Sequence, residues 1–132
     1  MSNDNLAIAR GYLAALEAFD MAAARDLFDP AIEQIEYPNL LKPKGDRRTA
    51  AALAADGEKG RRILSAQTFE VRNALAEDDR VALEVLWTGV LAVPLGPLAA
   101  GAEMTCHSAI FLDFRDGKIV GQRNFDCFPP LA

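Results

Sequence analysis

Apolar residues in the first twenty positions recur with helical spacing. Leu6, Ala9, Leu13 and Leu16 fall at i, i+3, i+7 and i+10, and Ile8, Tyr12 and Phe19 widen the stripe. That spacing predicts a helix over 4–19 with Tyr12 at the edge of its buried face. Asp20 is placed to cap a second, short helix through Phe28, which Pro30 stops, so the two make a helical hairpin. AIEQIEY at 31–37 partly alternates, and Pro38 biases Tyr37 towards extended backbone, which predicts an edge strand. After Gly45-Asp46 an alanine-rich run predicts helix over 47–58, with Gly57 and Gly60 weakening its last turns. Beyond it the period falls to two, giving strands near 66–77, 80–92, 103–115 and 118–127. Glu77-Asp78-Asp79 and Arg115-Asp116-Gly117 are the turns, and Asp-Gly is the stronger hairpin signal because it supplies positive φ at low cost. Helices first and antiparallel strands afterwards make the class α+β.

The chain has 132 residues, enough to remove about two-thirds of its unfolded surface, which supports one domain with a real core. A hydrophobic fraction of 51% with 25% charged residues is that of a globular protein. The net charge of −5 sets nucleic acid and anionic membranes aside as partners. Cys106 and Cys127 are too few for a disulfide scaffold, and without a Cys/His cluster no metal site is expected. A reducing cytoplasm fits. The first residues lack the charged and apolar regions of a signal peptide, and no run reaches the roughly 18 apolar residues of a membrane span. VPLGPLAAG at 93–101 is unusually apolar for a loop, so it is expected to cover either the mouth of a pocket or an edge shared between subunits.

YLAALEAFDMAAARDLF at 12–28, WTG at 87–89 and FLDFRDGKIVGQRNFD at 111–126 resemble the nuclear transport factor 2-like superfamily, in its SnoaL-like and ketosteroid-isomerase-like branch. The resemblance covers nearly the whole chain and implies a single SnoaL-like domain over 1–132. Its implied fold is a conical barrel of three N-terminal helices packed on a strongly curved, mainly antiparallel sheet, with a deep pocket between. The same scaffold hosts isomerases, cyclases, dehydratases and proteins without chemistry, so the fold does not name an activity.

Strand parity assigns faces. Val81, Leu83, Val85 and Trp87 share an apolar face and point inwards, as do Cys106, Ser108, Ile110, Leu112 and Phe114, which turns His107 outwards. Apolarity does not decide the last strand, and the resemblance puts Gln122, Asn124 and Asp126 inside. Tyr12, Tyr37, Trp87, Leu112 and Asn124 are therefore expected to line one cavity of a few hundred Å³.

The known mechanisms of the resembling proteins lack their residues here. A ketosteroid isomerase needs a phenol, an aspartic acid donor and an aspartate base. Tyr12 supplies the phenol, but Tyr37 stands at the base position and Ile110 at the second donor. The epoxide-hydrolase set would fall on Val85, Trp87 and Asn124, and the inward histidine of scytalone dehydratases on Ile110. Asp126 is the remaining inward carboxylate, so it and Tyr12 are the catalytic candidates, with Tyr37, Trp87, Leu112, Gln122 and Asn124 as binding residues. The resulting expectation is a cofactor-free protein for a small apolar or carbonyl-containing ligand, performing acid–base chemistry of isomerase, cyclase or dehydratase type. Its rival is a noncatalytic binding or interaction module, in which Asp126 is tied down by hydrogen bonds. A homodimer is expected through the outer sheet face, where Leu86, Ala109 and Phe111 form an apolar stripe among Glu84, Thr88, His107 and Asp113.

Overall fold

The computed structural model describes residues 2–131. Its elements run α1 (Ser2–Glu17), α2 (Met21–Asp26), β1 (Phe28–Glu36), β2 (Asp46–Thr49), α3 (Ala50–Ile63), β3 (Leu64–Glu77), β4 (Arg80–Leu91), β5 (Glu103–Arg115) and β6 (Lys118–Cys127). Three helices pack on a six-stranded mixed sheet of order β2-β1-β6-β5-β4-β3, in which β1 and β6 are parallel and the other pairs antiparallel. The sheet is not closed, because β2 and β3 remain as edges. No helix among the described residues is long and apolar enough to cross a membrane.

Local chemistry accounts for most boundaries. Phe19 takes a positive φ of 55°, which turns the chain after α1, and the Asp20 carboxylate then accepts from the Ala23 N–H at 3.0 Å as the cap of α2. β1 starts three residues earlier than the alternation predicts, because a register shift between Phe28 and Glu33 accommodates Pro30. The main difference lies at 46–49, where the expected helix start is instead an edge strand paired with β1. Gly45 makes that return possible: its φ is +67°, and a Cβ there would clash with the Glu36 carbonyl oxygen. α3 follows and runs through both glycines; the Met21 side chain occupies the space that a Gly57 Cβ would need, whereas a Cβ at Gly60 would meet nothing within 4 Å.

The core lies between α1 and the inner sheet face. Ala9, Tyr12 and Leu13 of α1 pack with Val81, Leu83 and Val85 of β4 and with Ile110, Leu112 and Phe114 of β5. The alternation in β4 and β5 is the one the sequence predicts. In β6 it breaks, because Phe114 pairs with Ile119 while Asp113 pairs with Gly121, skipping Val120. Ile119 and Gln122 consequently share the buried face, although they differ in parity.

Candidate functional site

A cavity of about 240 Å³ lies between the helices and the inner face of the sheet. Leu16 and Phe19 come to it from α1 and the turn after it, Met21 from α2, Leu53 from α3, and Phe28 and Phe69 from β1 and β3. Their apolarity follows from position, since each also closes part of the core. Polar side chains gather at one side. Tyr12 is 2% exposed, and its hydroxyl donates to Gln122 Oε1 at 2.8 Å; the Gln122 amide donates in turn to Asn124 Oδ1 at 2.8 Å. The chain from Tyr12 through Gln122 to Asn124 satisfies buried groups that would otherwise each cost about 1–3 kcal/mol.

A second polar group enters from the edge strand. Arg48 on β2 is 11% exposed and donates through Nη1 to Gln34 at 2.9 Å, through Nη2 to Glu36 at 2.8 Å and through Nε to Asp56 of α3. Asp46 lies 3.1 Å from the same Nη2. Burial pulls the Arg48 pKa down, and the Glu36 and Asp56 carboxylates more than offset this, so it is held above its ordinary value. Arg48, Asp56 and Gln34 all line the cavity. Opposite them, Gln67 accepts from the Trp87 indole N–H at 3.0 Å and donates to the Leu16 carbonyl at 2.6 Å, which ties the β3 wall to α1 and β4.

Of the expected site residues, the cavity brings together Tyr12, Gln122 and Asn124. Trp87 shares their face but stands behind Gln67, with its ring edge-on to Phe128 at 6.5 Å. Leu112 is fully buried in the core and does not line the cavity. Tyr37 lies outside: Glu36 turns towards Arg48, so its neighbour turns away and stacks on Phe125 at 4.6 Å. Asp126 is two residues beyond Asn124 on the same strand and accepts from the Ser108 hydroxyl at 2.7 Å; it is absent from the cavity lining. Burial raises its carboxyl above the ordinary value and the Glu36 charge adds to this, while Ser108 and Asn124 partly offset the rise. The Tyr12 phenol is pushed up to about 12 by burial, so it is a neutral donor at physiological pH. Cys106, 3.4 Å from the Ser108 hydroxyl, is pushed by burial to about 11 and stays a thiol. None of residues 93–101 lines the cavity, so the apolar loop does not cover its mouth. The loop folds on itself between Leu95 and Leu98 and leaves both half-buried.

Arg48 and Asp56 are the charged cavity residues that the pattern of the chain does not reveal, and Gln34 and Gln67 are further polar ones. Arg47-Arg48 reads as a solvated helix end, and only the short β2 strand turns Arg48 inwards and leaves Arg47 exposed on Glu33. Gln34 and Glu36, two acceptors sharing one face of β1, were the available signal.

A larger concavity of about 900 Å³ lies under the β3–β4 turn on the other side of the sheet, beside Phe111, Arg123 and Phe125. Arg123 donates to Asp113 at 2.5 Å and Arg80 lies 3.4 Å from the same carboxylate, while Glu77, Asp78 and Asp79 sit at its turn end. The smaller cavity is the candidate site, because polar groups from α1, α3, β1, β2, β3 and β6 converge on it.

The SnoaL-like domain family matches this sequence over residues 9–122. The chain belongs to the SnoaL-like family. Solved structures agree with that placement. AclR from Streptomyces galilaeus, a proposed hydroxylase, superposes with a TM-score of 0.80 at 21% identity, covering 96% of this chain and 76% of its own. IdmH from Streptomyces antibioticus, a proposed polyketide cyclase, gives 0.78 at 18% identity, covering 92% and 91%. A protein of ketosteroid isomerase-like fold from Catenulispora acidiphila DSM 44928, solved with trimethylamine, gives 0.72 at 15% identity, covering 89% and 83%. At these identities the likeness is one of fold, the nuclear transport factor 2-like arrangement of helices on a curved sheet. No curated protein is similar enough in sequence to count as a relative.

Proposed function

We propose that this SnoaL-like chain binds a small, mainly apolar molecule, and that the Tyr12–Gln122–Asn124 chain receives the ligand's carbonyl or hydroxyl group. The observation that carries this reading is the convergence of a neutral buried phenol and two amides on one side of a cavity of about 240 Å³ whose other walls are mostly aromatic and aliphatic, with Arg48 and Asp56 paired to each other. Such a phenol is a donor and not a base, because its pKa of about 12 keeps the proton on oxygen. Asp126 has the character of a structural acceptor in this reading, since Ser108 holds it and it lies off the cavity.

Acid–base chemistry of cyclase or isomerase type on a carbonyl compound is the second reading. It is favoured by the raised pKa of Asp126, a carboxyl closer to neutrality than an ordinary one, and by the cyclase assignment proposed for IdmH. Under it the ligand reaches past Asn124 to Asp126. We also propose a homodimer through the outer sheet face, where Tyr37, Phe111 and Phe125 are 37%, 39% and 42% exposed and pack together as one aromatic patch. The unpaired Cys106 and Cys127 suit a reducing, cytoplasmic setting.

Native mass spectrometry of protein purified from its own host tests the binding reading. A bound small molecule is expected, lost in Leu53→Trp, which fills the cavity, and weakened in Asn124→Leu. Equal retention in the wild type and Leu53→Trp would refute it. Asp126→Asn separates the two readings: unchanged binding with abolished turnover would establish the second.

A further inference from the structure

Charge on the cavity wall limits what the cavity admits. Among its described lining residues only Arg48 and Asp56 carry a formal charge. Arg48 is already committed: three of its N–H groups donate to Gln34, Glu36 and Asp56, and Asp46 lies 3.1 Å from Nη2. Three carboxylates around one guanidinium leave an excess of negative charge, which Lys42 answers only at Asp46, 2.9 Å away and on the outer side. An entering carboxylate or phosphate would meet that excess and find no unengaged cation, which is how a site discriminates against a ligand class.

The opposite charge is better received. Asp56 bonds Arg48 through Oδ2, which leaves Oδ1 for a further donor. Four aromatic rings share the wall, those of Tyr12, Phe19, Phe28 and Phe69. Aromatic faces attract ammonium groups by their quadrupole, most strongly where water is excluded. Tyr12 and Phe28 pack edge to face, at 64° with centroids 5.4 Å apart.

We infer, on the reading that the cavity is a small-molecule site, that its ligand carries a cationic centre, a protonated or alkylated amine, held among these rings within reach of Asp56. Carboxylates and phosphates are excluded.

Three probes of nearly equal shape test this on the full chain: choline, its neutral isostere 3,3-dimethyl-1-butanol, and the anion 3,3-dimethylbutanoate. Binding is read by calorimetry and by emission of Trp87, the one tryptophan, whose indole is bonded to the wall residue Gln67. Choline is expected to bind on the order of tenfold more tightly than the alcohol, and the anion most weakly. Asp56→Asn, a change at a side chain 37% exposed on α3, is expected to bring choline and the alcohol within about twofold. If the alcohol binds and choline gains nothing over it, the cationic inference fails while the small-molecule reading stands. Binding by none of the three overturns both. A choline preference that survives Asp56→Asn overturns the role given to Asp56.

Discussion

Replacing Arg48 with methionine keeps most of its apolar stem and removes the guanidinium, which isolates the charge it supplies. Arg48 and Glu36 are 11% and 15% exposed, so the orphaned Glu36 carboxylate is left largely out of water, at a cost of about 2 kcal/mol. Asp56 is 37% exposed, and solvent screening limits its loss to about 0.5 kcal/mol, while Asp46 stays solvated. The total of about 2.5 kcal/mol should lower the melting temperature by about 10 °C in a chain of this size. Circular dichroism melts of the wild type, Arg48→Met, Glu36→Gln and the double variant give the test as a cycle. The double variant should recover about 2 kcal/mol of the loss, because removing both partners leaves no buried charge. A fall of less than about 3 °C, or strictly additive single effects, would show that Arg48 is solvated and that the edge strand does not anchor the cavity wall.

Tyr12→Phe should cost about 1–2 kcal/mol in urea unfolding, because Gln122 Oε1 loses its buried donor; an unchanged midpoint would mean that the bond contributes nothing. For Asp126 the folded pKa is raised, first by burial and then by Glu36, so the folded chain holds this proton more tightly than the unfolded chain. Stability from this group therefore falls as pH rises through the window between the unfolded and folded values, and Asp126→Asn should melt at or above the wild type at pH 7, with the gap narrowing towards pH 4. A variant less stable at pH 7 than at pH 4, relative to the wild type, would reverse the sign. Gly45→Ala should cost more than about 2 kcal/mol, since it combines a positive φ with a Cβ against the Glu36 carbonyl. Light scattering at micromolar concentration should give twice the subunit mass, and Phe111→Glu should shift it towards one subunit; a monomeric wild type would refute the dimer.

Sequence pattern alone determined the N-terminal helical hairpin, the run of long strands after α3, the hairpin at Asp116-Gly117 and the inward faces of β4 and β5, because these depend on local period and turn chemistry within single elements. The resemblance carried by residues 12–28 and 111–126 added the fold and placed Gln122, Asn124 and Asp126 on the inner face. Parity could not do the same for β6, since the skipped Val120 changes the face within the strand, and a bulge is set by pairing with β5. Nor could it separate lining from core: Leu112 and Asn124 both point inwards, and only the packing of the helices leaves space over one and none over the other. Arg48 depended most on tertiary structure. Its local sequence is alanine-rich and favours helix, yet pairing of Asp46–Thr49 with β1 supplies backbone partners and two acceptors at once, and these long-range contacts outweigh the weak helical preference of a segment's first turn.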